Sequence, residues 1–226
     1  MKGLICITLI TLCLALIFSY NPVIDIFVSK LFFSTTDNDF LMKENIVLLI
    51  MDKSAYVIAF LLVSFNAVLI LKRLLQTYSL NLKLYRKEVF VLLVFLVGSV
   101  VLVQGFSKHY FGRARPAQIE EFGGKLEFTP AFQISKQCKV NCSFVSFHAS
   151  VGILLISYAI VLSRKKRVLF TMLGIFLTLL FGITRIMQGK HFLSDIIFSI
   201  CFMLIVVRTL SLLLKMDTTN TEDNYS

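Results

Sequence analysis

Three groups of residues in this chain have the types and spacing for handling phosphate. Six residues separate Lys108 from the pair Arg115-Pro116; Phe147 lies between Ser146 and His148; and Thr184-Arg185 is followed after five residues by His191 and after three more by Asp195. Phosphoryl transfer from a monoester needs a nucleophile in line with the leaving oxygen, fixed positive charge on the spectator oxygens, and an acid for the departing alkoxide. His191 and Asp195 are four apart, so at the start of a helix they share a face. The carboxylate can then accept from one ring nitrogen while the other points at phosphorus, which makes His191 the expected nucleophile and Asp195 its orienter. His148 is placed near a helix start, where free N–H groups and the dipole favour an anion, and is the expected general acid. Arg115 and Arg185 offer planar forks, Lys108 a compact charge and Ser146 a hydroxyl donor. Each alone is ordinary: a lone His at a helix end is usually a satisfied polar group, and Arg-Pro is a common loop feature. Their arrival together, in order, is not.

The elements that must position these residues are membrane helices. Hydrophobic residues make up 57% of the 226 positions, and no apolar segment carries the polar face that a soluble bundle would need. Apolar stretches run over 4–20, 54–71, 89–106, 149–162, 168–183 and 192–214, most of them near the ~20 residues that cross a bilayer core. The expectation is an all-α bundle of six spans in one domain, 1–226, with a polar tail from 216. Strand-like alternation is absent, so a barrel is not expected. The first stretch is read as a retained span, since Phe18-Ser19-Tyr20 is no small-residue cleavage site.

Orientation follows from the basic loops. Lys72, Arg73, Lys83, Arg86 and Lys87 follow the second span, and Arg164, Lys165, Lys166 and Arg167 follow the fourth. The positive-inside rule makes both loops and both termini cytoplasmic. All three clusters then fall on the outer face. The loop 107–145 is basic too, with Lys108, Arg113, Arg115, Lys125, Lys136 and Lys139, against the usual bias for exported segments. Binding an anionic head group gives those charges a purpose. The cytoplasmic share of the +10 net charge orients helices, and its division among loops argues against nucleic acid as a partner. An acidic residue inside a span is costly and functional by default, which singles out Asp195.

Spacing and order together resemble the type 2 phosphatidic acid phosphatase superfamily. The resemblance implies the same roles for His191, His148 and Asp195, with Lys108, Arg115, Ser146, Phe147 and Arg185 around the substrate, and a covalent phosphohistidine intermediate. Two residues depart from the pattern. Phe147 stands where members have Gly, which puts a large ring near the phosphate and raises the question of a positive φ; it either shapes an apolar pocket or faces lipid. Thr184 stands for Ser and keeps the hydroxyl. Gly112-Arg113-Ala114-Arg115-Pro116, Glu121-Phe122-Gly123-Gly124 and Cys142-Ser143-Phe144-Val145-Ser146 look like the bacterial branch of lipid A phosphatases, of the 4′ type. That implies a site facing the periplasm of the inner membrane, acting on lipid A or another phospholipid and thereby weakening the binding of cationic antimicrobial peptides. Phosphatidylglycerophosphate and polyprenyl pyrophosphate are rival substrates. A lipid transporter and an inactive scaffold are rival functions. Neither metal nor other cofactor is expected, because the close ligand spacing of a zinc site is missing and cations stand where a metal would sit.

Other features are secondary. Residues 23–33, with Asp25 and Lys30 among apolar neighbours, read as an amphipathic helix on the outer surface, and 46–51 as a second apolar patch before Asp52-Lys53. Cys6, Cys13 and Cys201 lie in spans as inert apolar groups, whereas Cys138 and Cys142, in an outer loop, are expected to bond.

Overall fold

Helices dominate because the chain has little but apolar runs to build with. The structure, a computed structural model, describes residues 1–79 and 81–216; the expected polar tail lies, after Met216, outside the described residues. Helix α1 covers Lys2–Tyr20 and α2 Val23–Lys30, followed by a hairpin of β1, Phe33–Ser34, and β2, Asp39–Phe40. Helix α3 runs over Ile46–Thr77. Helix α4, Arg86–Leu93, continues through a π-helical stretch, Val94–Ser107, into α5, Lys108–Phe111. Helices α6, Phe147–Val161, α7, Arg164–Met187, and α8, Leu193–Leu213, complete the bundle.

Among the described residues, five helical rods are long and apolar enough to cross a membrane: α1, α3, the α4-to-α5 rod, α7 and α8. Helix α6 has 15 residues, or ~22 Å at the helical rise, short of a bilayer core. It occupies the centre instead, packed on α7, α8, α3 and the π-helical stretch, with Ala149, Val151, Leu154 and Ser157 fully buried or nearly so. The outer surface is the apolar one. Leu9, Leu16, Phe60, Val68, Leu96, Leu169 and Phe176 are exposed, while Ser99, Ser150, Ser157 and Asn66 are buried, the arrangement a lipid solvent selects.

Helix α3 starts eight residues before the apolar stretch predicted for it, because Asn45 caps it: its Oδ1 accepts from Val47 N at 3.0 Å and Leu48 N at 3.3 Å. The patch at 46–51 is therefore the first part of α3 and no separate surface element. Helix α2 has two unlike sides. Asp25 and Ser29 are fully buried, whereas Val23 and Phe27, with Leu31 just beyond the helix, are exposed, so the side that carries Asp25 docks on the protein and an apolar side faces out.

Three connections meet at one end of the bundle. The β-hairpin lays Phe40 against Phe33 and Phe122, Ala117 N donates to Gly189 O at 3.0 Å, and α2 reaches α7 and α8.

Candidate active site

His191 is placed by a tight turn. Helix α7 stops at Met187; Gly189 N donates to Ile186 O at 2.9 Å and Lys190 N to Arg185 O at 3.0 Å. Gly189 has φ +64°, and a Cβ there would stand 2.4 Å from the Phe40 ring, so only glycine makes the turn. The chain then extends through His191 and Phe192 into α8. Phe192 N donates to Asp195 Oδ2 at 2.8 Å, which caps the helix. His191 Nδ1 lies 3.5 Å from the same oxygen, with the ring 1% exposed. Asp195 thus faces the histidine, but its hydrogen bonds go elsewhere.

The second cluster is tied to the third through the backbone. Ser146 N donates to Asp195 O at 3.2 Å, and Ser199 Oγ to Ser146 O at 2.6 Å. Ser146 occupies the N-cap position of α6 without capping it. Phe147 and His148 follow as the first helical residues, so residue 147 keeps a negative φ and the missing glycine costs no backbone strain. Nor does Phe147 face lipid: it is 6% exposed and stacks on Tyr56 of α3 at 5.2 Å. Thr184 Oγ1 donates back to Phe181 O at 2.9 Å, within its own helix.

The first cluster is fixed by Arg113, which lies between its members. Its Nη1 donates to Asp195 Oδ1 at 2.7 Å and to Ser194 Oγ at 2.8 Å, its Nη2 to Asp25 Oδ2 at 2.8 Å, and its Nε to Thr129 O at 2.7 Å. The guanidinium lies 4.2 Å from the Phe192 ring centre, a cation–π contact. Asp25 in turn accepts from Ser194 N at 2.8 Å. This buried carboxylate–guanidinium–carboxylate chain joins α2, the 112–146 loop and α8. Ser143 Oγ donates to Asp195 Oδ2. Arg115 donates through Nε to Asn141 O at 3.0 Å. Asn141 belongs to the turn that a Cys138–Cys142 bond closes, Cα atoms 5.5 Å apart, within the usual disulfide range.

Apart from the Asp195 carboxylate, the charges that act most on His191 are positive. Burial first, then the positive fields of Lys108, Arg115, Arg185 and His148, push its pKa well below the ordinary imidazole value. A histidine so placed is neutral at pH 7 and has a lone pair to give. Lys108, His148 and Arg185 are themselves buried, and Arg115 is half-buried. Ser146 Oγ, both ring nitrogens of His148, Arg185 Nε, Gln188 Nε2 and His191 Nδ1 have no hydrogen-bond partner in the protein. Buried polar atoms left so cost about 1–3 kcal/mol each; an anion with several oxygens could supply partners to those of Ser146 and Arg185. Beside them opens a cavity of about 300 Å³ lined by Lys43, Arg115, Gln118, Asn141, Gly189 and Lys190. Among the described residues, no three His, Cys, Asp or Glu side chains gather as metal ligands would.

Sequence reasoning missed Asp52, Arg113 and Asp25. Asp52 Oδ1 lies 2.6 Å from His148 Nε2 and 2.8 Å from Arg185 Nη1. An acidic residue in an apolar helix is a functional signal, but the predicted span began two residues after it.

Apolar helices around a buried, cation-lined cup with a neutral histidine at its centre define a membrane protein built to hold an anion. Residues 89–218 match the PAP2 superfamily, every residue of the three clusters falls inside that stretch, and the chain belongs to this superfamily. It is 39% identical over 116 residues to the lipid A 4′-phosphatase of Francisella tularensis subsp. novicida (strain U112), a match covering 50% of this chain and 52% of that protein. It is 30% identical to the lipid A 4′-phosphatase of Rhizobium etli over 80% of this chain and 75% of that protein. With that of Rhizobium leguminosarum it shares 28% over 80% of this chain and 83% of the relative. The chain thus spans about half the length of the first of these relatives and more of the others. No solved structure matches it.

Proposed function

We propose that the protein is a membrane phosphatase that hydrolyses a phosphate monoester carried by lipid A, at the 4′ position, on the periplasmic face. The observation that carries this reading is the neutral, buried His191 ringed by Lys108, Arg115, Arg185 and His148, with the relatives' names pointing to the lipid. Nδ1 of His191 faces Asp195, which leaves the other ring nitrogen for phosphorus. Its lone pair forms the P–N bond as the P–O ester bond breaks, and the departing sugar alkoxide takes a proton from His148. Arg115, Arg185, Lys108 and Ser146 hold the spectator oxygens. A water then attacks the phosphohistidine and gives its proton to His148; the P–N bond breaks, inorganic phosphate leaves, and both histidines return to their starting states. Asp195 offsets the charge on His191 while it carries the phosphoryl group. Every role falls to a side chain of this chain, so the reaction needs no metal.

In this reading α6 serves as the sixth, shortened span, both termini are cytoplasmic, and residues 1–216 form one domain. The cavity beside Arg115 receives the sugar head group. Expressed in a Gram-negative cell, the protein should yield lipid A lighter by one phosphate by mass spectrometry, and blocking lipid A transfer to the outer leaflet should prevent the change. Unaltered lipid A with depleted phosphatidylglycerophosphate or polyprenyl pyrophosphate would transfer the reading to that substrate.

A further inference from the structure

Asp52, on α3, lies at the edge of the cationic cup and outside the stretch matching the superfamily. Its Oδ1 stands 2.6 Å from His148 Nε2 on α6 and 2.8 Å from Arg185 Nη1 on α7. In each partner only one edge is engaged. His148 Nδ1 and Arg185 Nε, on the remaining edges, are buried and have no partner in the protein, and His148 Nε2 meets Asp52 as an ion-pair contact that makes no hydrogen bond. Arg185 Nη1 is also steadied by Gln188 Oε1 at 2.7 Å. We propose that Asp52 is a positioning residue that grips one edge of His148 and one of Arg185, so that His148 Nδ1 meets the leaving oxygen and Arg185 Nε a spectator oxygen.

A second contact from the same helix supports this. Tyr56, one turn beyond Asp52, sets its ring edge-on to the His148 ring at 5.2 Å and 84°, and stacks on Phe147 at 5.2 Å and 20°. Phe147 is where this chain departs from the superfamily pattern, and a glycine there would give Tyr56 nothing to stack on. Helix α3 therefore reaches the site through two adjoining contacts, one ionic and one aromatic, and Phe147 receives the second.

Charge around His148 acts in the same direction. His148 faces Asp52 and Tyr56 from α3, Arg185 from α7, Lys108 from α5 and His191 from the turn before α8. Arginine and lysine disfavour the imidazolium that a general acid must be, and the carboxylate at contact distance favours it. The rival geometry makes Asp52 a stand-in anion that phosphate must displace from Arg185. The two predict opposite effects on affinity.

The inference rests on the phosphatase reading, and the test separates the two. With purified protein in detergent and a lipid phosphomonoester, Asp52→Asn should lower kcat by about 10- to 100-fold, as loss of an orienting partner does. The alkaline limb of its pH–rate profile should move down by about one pH unit or more. Asp52→Glu should restore part of both, and thermal unfolding should show whether the variants stay folded. Unchanged or raised kcat with tighter inhibition by inorganic phosphate would overturn positioning in favour of the stand-in anion. A lower kcat with an unmoved alkaline limb would overturn it in favour of mere packing. Should the wild type release no phosphate from any lipid, the functional reading fails by itself. Positioning is then read from ¹³C-histidine NMR, where Asp52→Asn must lower the midpoint of the resonance that His148→Ala removes; an unmoved midpoint would reject it.

Discussion

His191 is neutral because burial and the nearby charges of Lys108, Arg115 and Arg185 disfavour its protonation, and this has two consequences with pH. The free imidazole pKa is about 6.5, and the folded value lies well below it. A nucleophile held neutral stays competent in acid, so the acid limb of kcat/KM should lie below pH 6.5; a limb centred at or above that value would contradict the assignment. For stability, below about pH 6.5 the unfolded chain takes up a proton that the folded chain refuses, so stability is lost as the pH falls through that value. Thermal unfolding from pH 7.5 to 5 should show the loss, and His191→Ala should reduce it. The cluster residues were legible in the sequence because phosphate chemistry restricts both type and spacing. Arg113 and Asp25 were not. Their meaning lies in a buried ion chain across 88 positions, which no local spacing announces, and Asp52 was hidden by a span boundary drawn from hydropathy.

At the scale of elements, the centres of the helices could be read and their ends could not. Apolar runs reveal where lipid must be faced, but α3 has 32 residues, ~48 Å at the helical rise, and its outer turns carry Asp52 because His148 and Arg185 partner it. Helix α6 is set by close approach to α7. A Cβ on Gly152 would stand 2.1 Å from Thr178 Oγ1 and 2.6 Å from Gly174 O, so backbone meets backbone, the small-residue packing that membrane helices use. Gly152→Leu should therefore push α6 off α7 and with it Ser146 and His148. The expected cost is about 1–3 kcal/mol, as overpacking gives, visible as a lowered melting temperature in detergent with activity lost in parallel. A variant as stable and active as the wild type would show that the helices do not meet there.

Across the whole molecule, apolar side chains outside and polar ones inside make a protein for lipid, with its chemistry gathered at one end. Ionisable groups spread along several spans near the midplane would have favoured a transporter; the site residues collect instead where the loops 21–45, 112–146 and 188–192 meet. The measurement closest to the central claim is release of inorganic phosphate from purified lipid A, in detergent with excess chelator, by the wild type and by His191→Ala. The account predicts undiminished release by the wild type and none above background from a correctly folded His191→Ala. Chelator-sensitive release restored by a divalent ion, or turnover surviving in His191→Ala, would contradict it.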